Sequence, residues 1–249
     1  MKNAAILLDR TLDFLNGKVK RVTKRTFDFK GDSKVLKEQY IKEYNQRGQR
    51  TKTIYLNTDG SVKLEQISEF DKNGYKIGYK NYDKNKFIDS EGNYEVDTNG
   101  NILKKYFNGN LEEAFSYDSQ GRLMEQIYAY SRDRIIYHYI DNSQFVNEQT
   151  TFMRGEKKYI IKYTNDSRGN ILKAETFRYP TMEIIHTQIG IINNRGDVTE
   201  EYVNLADGKK VNWKKFEYEY DSKENWIQRI CTNVESNSKT IDDRQIEYF

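Results

Sequence analysis

The chain has 249 residues, and its net charge is only +3 although 32% of the residues are charged. This balance does not favour nucleic acid as a partner, because phosphate recognition needs clustered Lys and Arg. The mean hydropathy of −0.95 and the hydrophobic fraction of 36% indicate a sheet with at least one solvated face and no thick core. No linker rich in Pro, Gly or Ser interrupts the sequence, so residues 1–249 are predicted to form a single domain.

Residues 1–17 are predicted to form a helical cap on the sheet. Apolar residues recur at helical spacing from Asn3 to Leu15, and Gly17 stands where a helix often ends. We expect this helix to cover the first edge of a sheet, because unpaired edges invite aggregation. The apolar run is too short for a signal peptide or a membrane span, so the default compartment is the cytoplasm, or the cell envelope if a leader was trimmed.

Residues 18–249 repeat one hairpin pattern, which is clearest from Phe115 to Tyr130. Alternating aromatics at Phe115 and Tyr117 lead into Asp118-Ser119-Gln120-Gly121, and a second alternating run leads away. Side chains alternate across a strand, while Asp-x-x-Gly is typical of a tight turn because Gly accepts a positive φ. Two strands take roughly 25 residues, and longer turns alternate with shorter ones, so each kind is expected to collect at one edge.

The predicted fold is therefore all-β: an elongated antiparallel meander of about 15–17 strands built from β-hairpin repeats, twisted or bent into a half-pipe, with one N-terminal helix. Two places depart from the pattern. The segment from Asp83 to Asp97 holds two turn signals close together, which predicts an irregular loop or bulge. Glu224 stands where Gly121 and Gly169 stand in their copies, so either Glu224 is strained at a positive φ or Asn225 takes that conformation.

Three short sequence motifs carry a family resemblance: Y-D-S-Q-G-R-L at 117–123, N-D-S-R-G-N-I-L at 165–172 and Y-E-Y-D-S-K-E-N-W-I at 218–227. They resemble the YD repeats of bacterial RHS-like proteins, over about residues 40–230. The resemblance implies extended β-sheet shells, surface scaffolds or toxin-associated modules. Similar hairpin-repeat proteins also include ones that look like immunity partners of toxins. It transfers no catalytic motif.

No pattern in the sequence indicates catalysis, so the protein is predicted not to be an enzyme. His138 and His186 lack a second ligand at metal spacing, and Cys231 has no adjacent base. We therefore expect no metal and no cofactor. The acidic run between Asp89 and Asp97 is the alternative cation candidate, although a solvated loop explains it better.

The Tyr-rich faces are the remaining functional feature, and they predict a module that binds a protein partner through a broad, aromatic-rich, curved sheet face. The alternatives are an immunity protein that neutralises a toxin and a cell-surface protein that binds carbohydrate. The same aromatics also serve to hold a thin sheet together. The candidate binding residues are Tyr117, Tyr128, Tyr130, Trp213, Tyr218, Tyr220 and Trp226.

Overall fold

A computed structural model describes residues 15–30, 33–140 and 143–249, and within these ranges the chain forms strands and turns and no helix. The predicted helix from Asn3 to Leu15 lies outside the described residues except for Leu15, which belongs to no element. The strands are β1 (Val19–Lys30), β2 (Ser33–Tyr44), β3 (Arg50–Leu56), β4 (Val62–Phe70), β5 (Lys76–Tyr82), β6 (Ile88–Val96), β7 (Ile102–Phe107), β8 (Asn110–Tyr117), β9 (Leu123–Tyr128), β10 (Arg134–Tyr139), β11 (Val146–Met153), β12 (Glu156–Asn165), β13 (Ile171–Arg178), β14 (Glu183–Ile192), β15 (Val198–Leu205), β16 (Lys210–Tyr220), β17 (Trp226–Asn233) and β18 (Lys239–Tyr248).

The sheet closes on itself, so the prediction of an open, elongated meander or half-pipe is wrong. All eighteen strands belong to one sheet in which each strand pairs with the next in sequence, and β18 pairs antiparallel with β1. Val22 lies opposite Lys42 on β2 and opposite Ile246 on β18, so β1 has partners on both sides. Closure removes the unpaired edges that a long open sheet exposes. The fold is a closed antiparallel β-barrel.

Two kinds of turn occur along the chain, but they do not alternate throughout as the sequence predicted. The turns at 45–49, 57–61, 71–75, 83–87 and 97–101 follow five consecutive strands and share one hydrogen-bond pattern. The turns that follow even-numbered strands mostly read Asp-x-x-Gly or Asn-x-x-Gly, for example 118–122 and 166–170, and we call their side of the sheet the long-turn end. In the first of these, the Asp118 carboxylate accepts the N–H groups of Gln120 and Arg122, each at 2.9 Å. Gly121 has a φ of +76° and donates its N–H to the Asp118 carbonyl. Turn chemistry alone therefore accounts for the repeated sequence motifs.

The segment from Asp83 to Asp97 forms one turn and one strand where the sequence predicted an irregular loop or a bulge, and the register with the neighbouring strands shifts only at the ends of that strand. One turn occupies Asp83 to Phe87, and a strand of nine residues, β6, follows it. The apparent second turn signal ends in Gly92, which lies opposite Tyr79 on β5. The Tyr79 ring lies over Gly92 and packs against the Tyr94 ring at a centroid distance of 6.2 Å, so this glycine makes room for a ring within a strand.

Backbone contacts divide the chain into two compact units. The first unit comprises Met1–Asn110, Glu217–Cys231 and Ser238–Phe249, and the second comprises Leu111–Phe216 and Thr232–Asn237. In the first unit a small apolar cluster forms where the barrel closes. Its buried members are Leu15, Val19, Val22 and Tyr44, with Ile246 and Tyr248 packed against them.

Of the two alternatives that the sequence left open at this turn, the structure shows the strained one. Glu224 has a φ of +62°, whereas Asn225 is not among the residues at positive φ. A side chain with a Cβ at such a φ costs roughly 1–2 kcal/mol relative to Gly. We expect Glu224→Gly to raise the free energy of unfolding by about 1 kcal/mol and the melting temperature by about 2–4 °C. Thermal unfolding followed by circular dichroism measures the change. Glu224→Ala, which keeps the Cβ, should bring no gain, and an unchanged melting temperature for Glu224→Gly would contradict the strain.

Candidate functional site

The structure places three of the predicted binding residues in one packed cluster of the first unit. The rings of Tyr218 and Tyr220 stack with centroids 5.9 Å apart, and Trp226 meets Tyr218 edge-on at 6.4 Å. Trp226 is only 6% exposed, because the guanidinium of Arg244 lies 3.3 Å from its ring centroid and that of Arg229 lies at 5.2 Å. This cluster packs the sheet and presents no open indole face.

Trp213 belongs to a separate cluster in the second unit. Its indole N–H donates to the Glu200 carboxylate at 2.7 Å, and its ring meets Tyr202 edge-on. The Lys210 ammonium lies 4.0 Å from the Trp213 centroid, and Lys215 approaches the same ring at 5.5 Å. The indole is therefore covered by cations.

The other three predicted residues also belong to the second unit, where they lie on β8, on β9 and in the turn after β9. Tyr117 on β8 and Tyr128 on β9 are half-buried. Tyr130 stands beyond β9 at the tip of a turn and is fully exposed, with a relative exposure of 101%. Of the seven predicted residues, Tyr130 is the one whose whole ring is available to a partner.

Tyr130 lies among a larger set of exposed apolar side chains. The turns at 129–133, 154–155, 179–182 and 206–209 follow odd-numbered strands, and we call this side of the second unit the short-turn end. Six large apolar or aromatic side chains are exposed there, at the tips or on the adjoining strand ends. They are Tyr130, Met153, Tyr179, Met182, Ile184 and Leu205. The tips are two strands apart, so four of them extend over about 30 Å.

Backbone strain is also concentrated at the short-turn end of this unit. Arg132, Arg154 and Met182 have φ values of +59°, +52° and +57° in three of its turns. By contrast, the positive-φ position is a glycine in three turns at the long-turn end of this unit, Gly121, Gly169 and Gly196. Each side chain at positive φ costs roughly 1–2 kcal/mol, and such costs persist where the side chain itself is needed.

Hydrogen bonds link the turns of the short-turn end to each other and to a neighbouring strand. The Arg154 backbone N–H donates to the Asp133 carboxylate at 3.1 Å, which links the first turn to the second. The Tyr179 N–H donates to the Lys158 carbonyl at 2.9 Å, and the Lys157 ammonium lies 4.6 Å from the Tyr179 ring centroid. Salt bridging with Lys158 holds the pKa of the Glu156 carboxyl below its usual range. The surface is thus ordered before any partner arrives.

Sequence reasoning found Tyr130 and missed the other five exposed side chains. Met153 is the last residue of β11 and Ile184 is the second residue of β14, and the residues around Pro180 were interpreted only as a turn. The missed signal is that the turns containing Arg132 and Met182 have no glycine, although a residue in each of them takes a positive φ. Glu224 departs from the turn pattern in the same way, as a residue other than glycine at a positive φ.

Neither histidine belongs to a metal site within the described residues, where no group of three His, Cys, Asp or Glu side chains is placed to hold an ion. The His138 ring lies 3.4 Å from the Thr150 hydroxyl, and the His186 ring lies 3.2 Å from the Thr176 hydroxyl. Asp89 and Glu91 lie within strand β6. Among the residues that the structure describes, no helix has the length and apolarity needed to cross a membrane.

Comparison with known proteins gives distant likenesses only. No family model matches the sequence, and no curated protein matches it. A porin-like protein from Bacteroides uniformis is 9% identical, with 93% of this chain and 99% of that chain covered and a TM-score of 0.49. A porin-like protein from Bacteroides vulgatus is 10% identical, with 90% and 97% covered and a TM-score of 0.39. The TcdB2-TccC3 structure is 12% identical, with 88% of this chain but 13% of that chain covered and a TM-score of 0.41.

Likenesses at these identities and TM-scores carry no function over to this chain. The predicted resemblance to the YD repeats of RHS-like proteins is wrong. No family model matches, and the sheet is a closed barrel where the resemblance implied an extended shell. The shared motifs reflect the hydrogen bonds of a tight turn, which any antiparallel hairpin of this type uses.

Proposed function

We propose that this protein is a non-catalytic module that binds a protein partner at the short-turn end of its second unit. The observation that carries the proposal is the group of six exposed apolar or aromatic side chains on neighbouring turns. A surface about 30 Å long matches the roughly 800 Å² that one side of a standard protein interface buries. Tyr and Met are enriched in such interfaces, and exposed apolar groups of this size mark interaction sites.

The strain at the same turns supports a role for their side chains. Replacing Met182 with Gly would relieve a positive φ and make the turn easier to form, yet the chain keeps a large apolar residue there. At the long-turn end of the same unit, the residue at positive φ is a glycine in three turns. A binding role explains why the two ends of one unit differ in this way.

The alternative of a carbohydrate-binding surface has less support from the geometry. Sugars stack on open aromatic faces, but cations cover Trp213 and Trp226, and Trp226 is buried. A toxin remains one kind of protein partner, and no contact in the second unit favours it over others.

A photo-crosslinking experiment tests the proposed surface. A benzophenone amino acid placed at Tyr130 should crosslink to one defined protein in cells that produce the chain natively. The same probe at Ile171, an exposed position at the long-turn end of the same unit, is the control and should give no such product. Equal products at both positions, or none at Tyr130, would contradict the proposal.

Met182→Gly sharpens this test because the variant is expected to be at least as stable as the parent chain. Loss of the Met182 side chain should reduce the yield of the Tyr130 crosslink about tenfold, as interface side chains of this size often contribute about 1–2 kcal/mol. Thermal unfolding of the same variant shows that the loss does not come from misfolding. An undiminished crosslink in Met182→Gly would show that the Met182 side chain does not contribute to the interface.

A further inference from the structure

The short-turn end of the second unit carries an excess of positive charge. Residues 129–134, 153–158, 178–184 and 205–210 contain eight Lys or Arg residues and four Asp or Glu residues. The long turns 118–122, 166–170 and 193–197 of the same unit contain three of each kind. The excess is therefore a property of the end with the exposed apolar side chains, and the whole chain has a net charge of only +3.

Each of the four acidic side chains at this end accepts a hydrogen bond from the same unit, whereas three of the basic side chains have no charged partner among the described residues. Asp133 accepts the Arg154 backbone N–H, and Asp207 accepts the Lys209 backbone N–H at 2.9 Å. Glu156 pairs with Lys158 at 2.5 Å. The side chains of Arg132, Arg154 and Lys209 are exposed and form no ion pair with any residue that the structure describes. Cationic groups are thus left to face outward beside Tyr130, Met153 and Leu205.

We propose that the partner held at the short-turn end presents an acidic segment, with Asp or Glu beside aromatic or aliphatic side chains. This inference rests on the proposed function and adds the chemistry of the partner. Arg132 and Arg154 would pair with the carboxylates, while Tyr130 and Met182 would bury apolar groups. Arg side chains suit this role because the guanidinium binds a carboxylate through two parallel hydrogen bonds.

The same features disfavour the other anionic macromolecules. Nucleic acid would leave the six large apolar side chains without apolar partners, because its surface is dominated by phosphate and sugar. An anionic bilayer would meet the acidic side chains of Asp133, Glu156, Glu183 and Asp207, which lie between the basic ones. A protein segment accommodates both signs of charge.

Selection of random dodecapeptides on the full chain tests the proposal. Enriched peptides should contain aromatic or aliphatic residues, and their mean net charge should be about two units more negative than that of the starting library. A synthetic peptide from the enriched set should bind about tenfold more weakly when salt is raised from 50 to 500 mM, because exposed charge pairs are screened.

Matched variants test whether Arg132 and Arg154 cause the preference for acidic peptides. In Arg132→Gln/Arg154→Gln the charge preference should disappear, whereas Arg168→Gln/Arg195→Gln, which removes equal charge from the long-turn end, should keep it. Enriched peptides that are neutral but depend on Met182 would overturn the acidic partner and leave the binding role standing. A lack of enrichment would count against both. Stronger binding to phosphatidylglycerol vesicles than to any peptide, lost in the same Arg variants, would also overturn the proposal.

Discussion

Asp242→Ala should lower the free energy of unfolding by about 3 kcal/mol, because this buried carboxylate compensates two cations in the first unit. Asp242 on β18 accepts the Thr26 hydroxyl at 2.6 Å and pairs with the Lys24 ammonium at 3.0 Å. The Arg229 guanidinium from β17 donates to its other oxygen. Removing the carboxylate would leave Lys24 and Arg229 facing each other with little water to screen them. Urea unfolding measures the loss.

The neighbouring residue supplies the control for this prediction. Asp243 points to the other face of the same strand and pairs with Lys34, and both side chains are more than one-third exposed. Asp243→Ala should cost at most about 1 kcal/mol, as exposed ion pairs do. In an Arg229→Met background, Asp242→Ala should cost at least about 1 kcal/mol less than alone. Similar losses for the two Asp variants would show that the buried cluster is not a stabilising unit.

The same cluster predicts how stability depends on pH. Burial raises the pKa of Asp242, but the Thr26 hydroxyl and the Lys24 ammonium outweigh burial and hold this pKa below the usual 3.8. A carboxyl whose pKa is lower in the folded chain contributes stability that is complete above 3.8 and is lost as pH falls through the lowered pKa. Between pH 4 and pH 2 the parent chain should therefore lose more stability than Asp242→Asn does.

Closure of the barrel is the feature that sequence patterns did not predict. The alternation of side chains and the Asp-x-x-Gly turns show where strands begin and end, and that local information predicted an all-β chain of nearly the right strand number. Closure depends on pairs such as Thr26 with Asp242 and Val22 with Ile246, which lie more than 200 residues apart. Neither residue of such a pair carries a local signal, so an open sheet and a closed one have the same hairpin pattern.

Of the six exposed side chains at the candidate site, sequence patterns predicted Tyr130, and the departures from the turn pattern that mark its turns were missed. Glu224 was identified because glycine was expected, and its φ confirmed the reasoning. Arg132 and Met182 depart in the same way, but short turns vary more in sequence, so the absent glycine was less evident. Aromatic content alone did not distinguish exposed rings from buried ones. It selected Trp226, which cations and neighbouring strands cover, as readily as Tyr130, which is fully exposed.

The join between β1 and β18 depends on a buried amide, and Asn225→Ala should lower the free energy of unfolding by about 2–4 kcal/mol. Asn225 is 1% exposed in the last long turn. Its amide N–H groups donate to the Asn16 carbonyl at 3.0 Å and to the Tyr248 hydroxyl at 2.6 Å, while its oxygen accepts the Asn16 N–H at 2.6 Å. Tyr248 in turn donates to Asp221, and burial together with this bond raises the pKa of Tyr248 to about 12.

Asn170→Ala is the matched control, because Asn170 occupies the same position in its turn but bonds only within it, to Asp166 at 2.9 Å. That variant should cost about 1 kcal/mol, the value of a local hydrogen bond. Amide hydrogen exchange should then rise in Asn225→Ala at Asn16 and along β1 and β18, and stay unchanged there in Asn170→Ala. Equal costs and equal exchange in the two variants would mean that the barrel closes through its backbone ladder alone. The buried amide would then be only a turn residue.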